Sequence, residues 1–276
     1  QLPALMMNGV TVVVSPLLSL MKDQVESLQA NGIAARAINS AVSETENMLV
    51  RRECAQGMIK LLYVSPERLL VELPFLQENV EISLFAIDEA HCISAWGHDF
   101  RPEYAQLGIL RETFPNVPIV ALTATADKVT RTDILEQLHI PNARMFVSSF
   151  DRPNLNLEVK RGMNTKERNQ AILQFMLRHQ HDCGIIYRMS RKTTESVAAY
   201  LRSHQFTTAV YHAGLTVEER EKAQNDFVCD RVQIVCATIA FGMGINKSNV
   251  RFVIHYNLPK SIENFYQEIG RAGRDG

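Results

Sequence analysis

Long apolar runs and a cysteine framework are both missing from this 276-residue sequence. No apolar stretch approaches the ~18 residues of a membrane-spanning helix, and no charged-then-apolar leader opens the chain. The five cysteines are an odd number, and no two of them have C-x-x-C spacing. This usage argues against a disulfide framework or a zinc site within the sequence and favours a reducing, intracellular compartment.

The sequence also lacks an excess of charge of either sign. It has 29 basic and 30 acidic residues, and its formal net charge is −1. Bulk composition therefore does not indicate a nucleic-acid partner, and any such surface must be a local patch. Apolar residues make up 46% of the sequence, which is sufficient for packed cores. The length predicts about two domains.

Short apolar runs alternate with helical periodicity through the chain. The predicted strands cover residues 10–14, 61–64, 84–87, 117–122, 183–187, 208–211, 232–237 and 250–255. The predicted helices cover residues 17–30, 66–70, 127–138, 166–179, 192–204, 217–228 and a final stretch from residue 261. Alternation of this kind predicts parallel βαβ units and an α/β fold. The pattern lapses around residues 148–154, so we place the boundary between two lobes there, with residues 1–150 in the first and residues 151–276 in the second.

Two adjacent carboxylates, Asp88 and Glu89, end the third predicted strand. Ligands of open parallel sheets bind outside the carboxyl ends of the strands. One acid can hold the water shell of Mg²⁺, and its neighbour can orient or deprotonate an attacking water. A solvated acidic turn is the alternative interpretation of this pair taken alone.

Two strands run directly into a Ser-Pro pair, at Ser15-Pro16 and at Ser65-Pro66. Serine at the N-cap with proline at the first helical position predicts a helix that starts where the strand ends. Two helix N-termini would then lie at one edge of the sheet, where they can bind phosphate. The alternative is a pair of ordinary strand-to-helix turns.

Near the end of the sequence, Gln267, Arg271 and Arg274 have the i, i+4 and i+7 spacing of one helix face. Two arginines on one face, with glycines that permit close approach, predict a phosphate-binding clamp. A solvated basic terminus is the alternative.

These segments occur in the order found in superfamily-two helicases, and the chain most resembles the RecQ family of ATP-dependent DNA helicases. The resemblance is carried by residues 13–17 (VVSPL), 88–91 (DEAH), 122–126 (LTATA), 240–247 (AFGMGINK) and 267–276 (QEIGRAGRDG). Residues 92–104 (CISAWGHDFRPEY) are similar to the aromatic-rich loop of that family. The resemblance implies two RecA-like lobes with a cleft between them, ATP and Mg²⁺ as cofactors, and single-stranded and branched DNA as partners. It also implies 3′-to-5′ unwinding in recombination and repair, in the cytoplasm with the nucleoid or in a nucleus.

Carried over residue by residue, the resemblance makes Asp88 the Mg²⁺ ligand and Glu89 the general base on the attacking water. His91 would link the nucleotide site to the second lobe. The other nucleotide contacts would be Arg274 as an arginine finger, supported by Arg271 and Gln267.

Trp96, Phe100 and Arg101 would couple single-stranded DNA to hydrolysis, since aromatic faces stack on bases without sequence preference and arginine meets phosphate. The alternative is a core stripe, because aromatic residues recur at positions 96, 100 and 104. A glycine and a proline interrupt that spacing, so we expect Trp96 in a loop and Tyr104 in the core. Weaker predictions of phosphate contact fall on residues at strand ends, namely Ser15, Ser65, Thr123 and Thr238.

The sequence departs from the family in three respects. No glycine is followed by lysine, so the phosphate-binding loop G-x-x-x-x-G-K-[ST] is not found among these residues, and we expect this polypeptide to hydrolyse ATP poorly or not at all. The family's zinc-binding and winged-helix modules would follow residue 276, so we expect a piece of a longer helicase, with zinc only in that parent. Residues 187–190 (YRMS) differ from the Cys/Asn-Ser segment of relatives, which argues against a DNA contact there.

Other functions stay open. An RNA helicase of the same superfamily would respond to RNA, although the loop at residues 92–104 argues against it. A non-catalytic remnant would bind single-stranded DNA without any nucleotide response. A truncated chain that does not fold is a further possibility, since an exposed sheet edge is an aggregation hazard.

Overall fold

The computed structural model describes residues 1–97, 99–149, 151–238, 241, 245 and 247–276, without the side chain of residue 19. These residues divide into two compact units, Gln1–Val147 and Ser148–Gly276. Each unit contains a parallel sheet, flanking helices and its own hydrophobic clusters. Within the described ranges, no helix is both long enough and apolar enough to cross a membrane.

Over its described residues, the first unit has a sheet of five parallel strands in the order β2-β3-β1-β4-β5. The strands are β1 (Val10–Val14), β2 (Ala35–Ile38), β3 (Leu61–Val64), β4 (Ile82–Ile87) and β5 (Ile119–Ala121). Val14 pairs with Val64 and Ile87, and Ile87 pairs with Ala121. The carboxyl ends of β3, β1, β4 and β5 therefore lie side by side at one edge.

Helices cover the faces of this sheet. They are α1 (Leu2–Met6), α2 (Leu18–Ala30), α3 (Glu44–Ala55), α4 (Pro66–Asn79), α5 (Pro102–Ala105), α6 (Ile109–Thr113) and α7 (Lys128–Gln137). Strand β1 is buried along its whole length, as expected for a central strand covered on both faces. Helix α3 starts with a capping box, in which Ser43 Oγ accepts the Glu46 N–H and the Glu46 carboxylate accepts the Ser43 N–H.

The second unit has four parallel strands in the order β7-β8-β6-β9, again over its described residues. They are β6 (Cys183–Tyr187), β7 (Thr208–Tyr211), β8 (Ile234–Ala237) and β9 (Val250–His255). The helices are α8 (Thr165–Arg178), α9 (Arg191–Ser203), α10 (Val217–Val228) and α11 (Ile262–Ile269). Tyr187 pairs with Ala237 and His255, so the carboxyl ends of β8, β6 and β9 also meet at one edge.

The predicted α/β fold with parallel sheets is confirmed. Of the two predicted Ser-Pro helix starts, the one at Ser65-Pro66 is confirmed and the one at Ser15-Pro16 is wrong. Helix α2 begins at Leu18 with Leu17 as its N-cap, so Ser15 lies before the helix rather than capping it. Ser65 does occupy the N-cap position of α4, but its hydroxyl makes no capping hydrogen bond.

Candidate functional site

The carboxyl edge of the first sheet gathers the residues that follow four strands. The N–H of Ser15 donates to Val64 O (3.1 Å), and the N–H of Asp88 donates to Val14 O (2.9 Å). The N–H of Leu122 donates to Ile87 O (2.9 Å). These bonds extend the parallel ladders by one residue and hold the segments after β1, β4 and β5 in register beside one another.

Asp88 and Glu89 project from the end of β4 into this edge. Asp88 is partly buried, and burial raises the pKa of its carboxyl above the ordinary value. The Tyr104 hydroxyl donates to Asp88 O (3.1 Å), and the N–H of Glu89 donates to Asp88 Oδ1 (3.0 Å). A carboxylate held by its own backbone in a partly dry site is a suitable oxygen ligand for a hard cation.

Glu89 has a left-handed backbone conformation, with φ 48° and ψ 45°. This region costs a residue with a Cβ roughly 1–2 kcal/mol, and such strain concentrates at functional sites. The sharp reversal ends the strand and starts the 3₁₀ turn Ala90–Ile93, in which the Cys92 N–H donates to Glu89 O (2.9 Å). The sequence contains no signal of this conformation, because glutamate does not favour it.

His91 connects the acidic pair to the segment after β5. Its buried ring places Nδ1 3.0 Å from Thr123 Oγ1 and 3.3 Å from Glu89 Oε2. Thr123 Oγ1 in turn accepts the N–H of Thr125 (3.3 Å). A displacement of Glu89 would therefore reach the 122–126 segment through one imidazole.

Three hydroxyl oxygens are buried in the first unit and have no hydrogen-bond partner among the described residues. They are Ser15 Oγ, Ser65 Oγ and Thr125 Oγ1. All three belong to segments that follow strands at the same edge. An enclosed hydroxyl without a partner costs roughly 1–3 kcal/mol, so such groups call for a functional or structural reason. Hydroxyl groups at this edge fit an anionic, hydrogen-bonding ligand.

Residues 94–97 and 99–101 lie in a loop that turns Trp96 outward. The N–H of Trp96 donates to Ser94 Oγ (3.2 Å), and that hydroxyl donates to Asp133 Oδ2 (2.6 Å). A Cβ on Gly97 would lie 2.3 Å from His91 O, so only glycine fits where the loop folds back. Trp96 is 76% exposed and Phe100 is 43% exposed. The predicted placement of Trp96 in a loop is confirmed, and Tyr104 is fully buried in the core, as predicted.

Arg101 joins this loop to the segment after β1. Its Nη1 donates to Pro16 O (2.9 Å), and its Nη2 lies 3.4 Å from Asp99 Oδ2. The guanidinium is thus held by the first unit itself. A guanidinium has five N–H donors, so a contact from Arg101 to DNA does not require it to leave these partners.

A cavity of about 330 Å³ lies between Trp96 and helix α7. Its other lining residues are Lys128, Val129, Thr132, Asp133 and Glu136. These α7 residues could not be predicted from the sequence, because nothing in their spacing indicates that the loop packs over them. An exposed indole facing a shallow, partly charged cavity can stack on a planar ring.

The predicted arginine face in the second unit is wrong in its geometry. Helix α11 ends at Ile269 with Gly270 as its C-cap, so Gln267 lies on the helix and Arg271 and Arg274 lie beyond it. Gly273 has φ 59°, so the backbone between Arg271 and Arg274 does not follow a right-handed helix.

The two arginines pack against their own unit. Arg274 Nη1 donates to Ile245 O (3.1 Å) and Nε donates to Gly270 O (3.2 Å), and desolvation lowers the pKa of this guanidinium, which stays cationic at neutral pH. Burial raises the pKa of Tyr187 to about 12 against the opposing effect of nearby Arg271. Each arginine thus has a fixed environment at the end of the chain.

The predicted Thr238 lies at the carboxyl edge of the second sheet, and His212 follows strand β7 at the same edge. Thr238 directly follows β8, and its N–H donates to Tyr211 O (3.1 Å). His212 accepts the Gly214 N–H at Nδ1 (3.2 Å) and places Nε2 3.0 Å from Glu195, which suits a capping role. Of the 240–247 segment, residues 240, 242–244 and 246 lie outside the described residues.

Arg188 is an unusual buried cation after β6. It is 7% exposed, and its guanidinium carbon lies 3.4 Å from the centroid of the Tyr256 ring. Its Nε and Nη1 have no hydrogen-bond partner among the described residues. The Tyr256 ring face stabilises this cation in place of an anion. Arg188, which belongs to the segment that differs from relatives at residues 187–190, is therefore held by a cation–π contact.

Comparison with known proteins agrees with these observations. The DEAD/DEAH box helicase family matches residues 1–133, and the helicase conserved C-terminal domain matches residues 160–276. The chain is 52% identical over 276 residues to the ATP-dependent DNA helicase RecQ of Pasteurella multocida. It is 45% identical over 278 residues to RecQ of Bacillus subtilis. All of this chain aligns in both cases and covers 43% and 46% of the two relatives, so it spans a little less than half of their length.

Solved structures show the same fold at low sequence identity. A variant of S. cerevisiae Dbp5 bound to Gle1 has a TM-score of 0.76 and 18% identity, over 96% of this chain and 67% of that one. The DEAD-box helicase Mss116 bound to single-stranded RNA has a TM-score of 0.72 and 17% identity, over 96% of this chain and 57% of that one. The two parallel-sheet units are thus RecA-like helicase folds. The chain thus carries a DEAD/DEAH box helicase domain and a helicase conserved C-terminal domain, and it is similar along its whole length to RecQ DNA helicases.

Proposed function

We propose that this chain supplies the two RecA-like units of an ATP-dependent DNA helicase that separates strands in the 3′-to-5′ direction during recombination and repair. One observation carries the proposal. The acidic pair at the end of β4 continues through the short turn Ala90–Ile93 into a loop that exposes Trp96. The proposed nucleotide-binding edge at Glu89 and the proposed base-stacking surface at Trp96 are thereby joined by one short segment, which contains the hydrogen-bonded turn Ala90–Ile93.

For the nucleotide, the donor set at the sheet edge fits Mg²⁺·ATP, since carboxylate and hydroxyl oxygens suit a hard cation and phosphate. Asp88 would hold the ion, and Glu89 would take the proton of the attacking water. Bound Mg²⁺·ATP supplies the phosphoryl group for transfer to that water. The further phosphate contacts are proposed to be Gln267, Arg271 and Arg274, with Arg274 as the cation that faces the γ-phosphate.

For DNA, the proposed contacts are the exposed Trp96 and Phe100 as stacking surfaces and Arg101 as a phosphate contact. Ser15, Ser65 and Thr238 follow strands and are proposed as further backbone contacts. Arg101 bonds to Pro16 O, next to Ser15, so movement of a strand on this surface would reach the segment after β1 directly. Branched DNA is proposed as a substrate because such molecules carry the single strands that this surface would hold.

RNA is the second candidate substrate. A relative from Acanthamoeba polyphaga mimivirus, 46% identical over 282 residues, is described as a putative ATP-dependent RNA helicase. Stacking on Trp96 does not by itself distinguish the two nucleic acids, because every base has a π-face. DNA is favoured because the relative with 52% identity along the whole chain is named a DNA helicase, compared with 46% for the mimivirus protein.

A strand-separation assay tests the proposal. The chain replaces the matching segment of the Pasteurella multocida relative, and the chimaera is offered duplexes with a 3′ or a 5′ single-stranded tail, in DNA and in RNA. We expect ATP-dependent separation of the 3′-tailed DNA duplex and its loss in Glu89→Gln. Separation of RNA alone would favour the second candidate. Nucleic-acid binding without separation of any duplex would favour a non-catalytic single-strand-binding protein.

A further inference from the structure

The loop after the acidic pair brings three potential metal ligands together. His91 and Cys92 belong to the turn Ala90–Ile93 and are 3% and 0% exposed, whereas Asp99 is exposed. One ligand atom of each residue lies within 4.8 Å of the other two. Cys92 Sγ and Asp99 Oδ2 are 3.9 Å apart.

This proximity is a consequence of how the loop closes. The N–H of Arg101 donates to Cys92 O (2.9 Å), and the N–H of Gly97 donates to Ser94 O (2.9 Å). The close approach of Gly97 to His91 O tightens the same turn. Asp99 is thereby carried back over Cys92, although the sequence lacks any C-x-x-C spacing that would indicate a metal site.

We infer that His91, Cys92 and Asp99 bind a thiophilic divalent cation, for which Zn²⁺ has the best-matched ligand preferences. Zinc takes sulfur, imidazole nitrogen and carboxylate oxygen at about 2.0–2.3 Å, and three protein ligands leave its fourth position to water. On binding, the Cys92 S–H bond breaks, a sulfur–metal bond forms and the proton leaves to solvent. The thiolate and the carboxylate then balance the two positive charges of the ion.

The surroundings of the three residues suit this role. Thr123 Oγ1 and Glu89 Oε2 lie 3.0 and 3.3 Å from Nδ1 of His91, and contacts of this kind orient an imidazole that binds metal. Asp99 has one weak competitor, the Arg101 guanidinium at 3.4 Å, which also bonds to Pro16 O. Small shifts in the exposed loop would bring Asp99 to coordination distance.

The site differs in chemistry from the acidic pair beside it. Mg²⁺ prefers oxygen ligands, so it belongs with Asp88 and Glu89, whereas sulfur selects softer ions. A bound cation would hold the loop against the turn Ala90–Ile93 and detach Asp99 from Arg101. The binding itself does not depend on the proposed helicase function, so a failure of one leaves the other standing.

A cobalt titration tests the site on the reduced, metal-free 276-residue chain in excess Mg²⁺. Co²⁺ bound by a thiolate gives a charge-transfer absorption that oxygen ligands do not give. We expect one equivalent of Co²⁺ with this absorption and its displacement by Zn²⁺. Cys92→Ala should abolish the absorption, and Asp99→Asn should weaken Co²⁺ affinity by about tenfold or more.

Two cysteine variants are the matched controls. Cys229→Ala removes the exposed thiol and Cys54→Ala removes another buried one, and both should keep the absorption. An absorption that survives in Cys92→Ala, or disappears in Cys229→Ala, overturns the proposal. Should Cys92→Ala fail to fold, Asp99→Asn decides, because its position is exposed, and an unchanged Co²⁺ affinity in that variant contradicts the site.

Discussion

At the scale of single residues, Asp88 combines a cost in stability with a use in chemistry. Burial raises the pKa of its carboxyl above the unfolded value near 3.8. Ionisation is therefore disfavoured in the folded protein. The resulting stability is fully present below the unfolded pKa and is lost as pH rises through the folded pKa. At neutral pH the ionised Asp88 carboxylate therefore lowers the free energy of unfolding.

Asp88→Asn should therefore melt at a higher temperature than the wild type at neutral pH, and the difference should vanish at a pH below the unfolded pKa. Thermal melts across that pH range measure it. Asp127 provides a control of opposite sign, because the Thr130 N–H at 2.8 Å lowers the pKa of its carboxyl. Asp127→Ala should melt below the wild type at neutral pH. An Asp88→Asn melting difference that does not change with pH would contradict the argument.

Gly97 is the residue on which the loop conformation depends. A Cβ there would lie 2.3 Å from His91 O, a backbone atom that cannot move aside alone. Gly97→Ala should displace the loop and weaken the response of tryptophan fluorescence to single-stranded DNA several-fold. Trp96 is the sole tryptophan of the sequence, so its emission reports on this loop alone.

Gly32→Ala is the matched control for Gly97→Ala, since open space surrounds Gly32. Its left-handed φ of 74° makes the substitution strained, so this control can lower stability but should leave the fluorescence response unchanged. An unaltered response in Gly97→Ala would contradict the proposed link between loop closure and base stacking.

At the scale of elements, α3 and α4 are joined by a buried carboxylate. Glu72 is 2% exposed, and its oxygens accept hydrogen bonds from Arg51 (2.8 and 2.7 Å) and Arg68 (2.8 Å). Glu72→Gln would remove the buried carboxylate from two partly buried guanidinium groups and leave them only the exposed Glu44 as an acidic partner among the described residues. We expect a loss toward the lower end of about 3–5 kcal/mol in the free energy of unfolding.

Glu44→Gln is the control for this network, because Glu44 contacts the same two arginines from an exposed position. It should cost clearly less than Glu72→Gln, since exposed ion pairs are screened by water. Denaturant unfolding of both variants measures the difference. Equal losses would mean that burial of Glu72 does not decide the strength of the network.

Most elements of this fold were predictable from the sequence, but element length did not decide which, since the 12-residue helix α3 was missed. Strands β6, β7 and β9 and helix α10 have the predicted bounds, because each is a continuous run with a clear apolar pattern. Strand β2 was missed, since Ala-Arg-Ala-Ile has little strand propensity and depends on pairing with β3. The helix predicted through Arg274 ends at Ile269, before both arginines, although their spacing fits one helix face.

Residues of the site were predictable where a reactive side chain directly follows the end of a predicted strand. Asp88, Glu89 and Trp96 could be singled out from residue type and order. The left-handed Glu89, the cavity beside α7 and the approach of Asp99 to Cys92 could not. Each of these depends on loop closure, which residue spacing does not encode.

At the scale of the whole molecule, two RecA-like units carry different parts of the proposed cycle. The first holds the acidic pair and the exposed loop, and the second holds the arginines at 271 and 274. In the proposed cycle, hydrolysis at Glu89 responds to DNA at Trp96. That claim predicts that the two functions can be separated by substitution, although both residues lie in one unit.

The most direct measurement is ATP hydrolysis by the Pasteurella chimaera with and without single-stranded DNA, compared among wild type, Glu89→Gln and Trp96→Ala. Glu89→Gln should lose turnover by about 10²–10⁴-fold, as expected for a general base, while still binding DNA. Trp96→Ala should keep the DNA-independent turnover and lose its stimulation. Full stimulation in Trp96→Ala, or undiminished turnover in Glu89→Gln, would contradict the account.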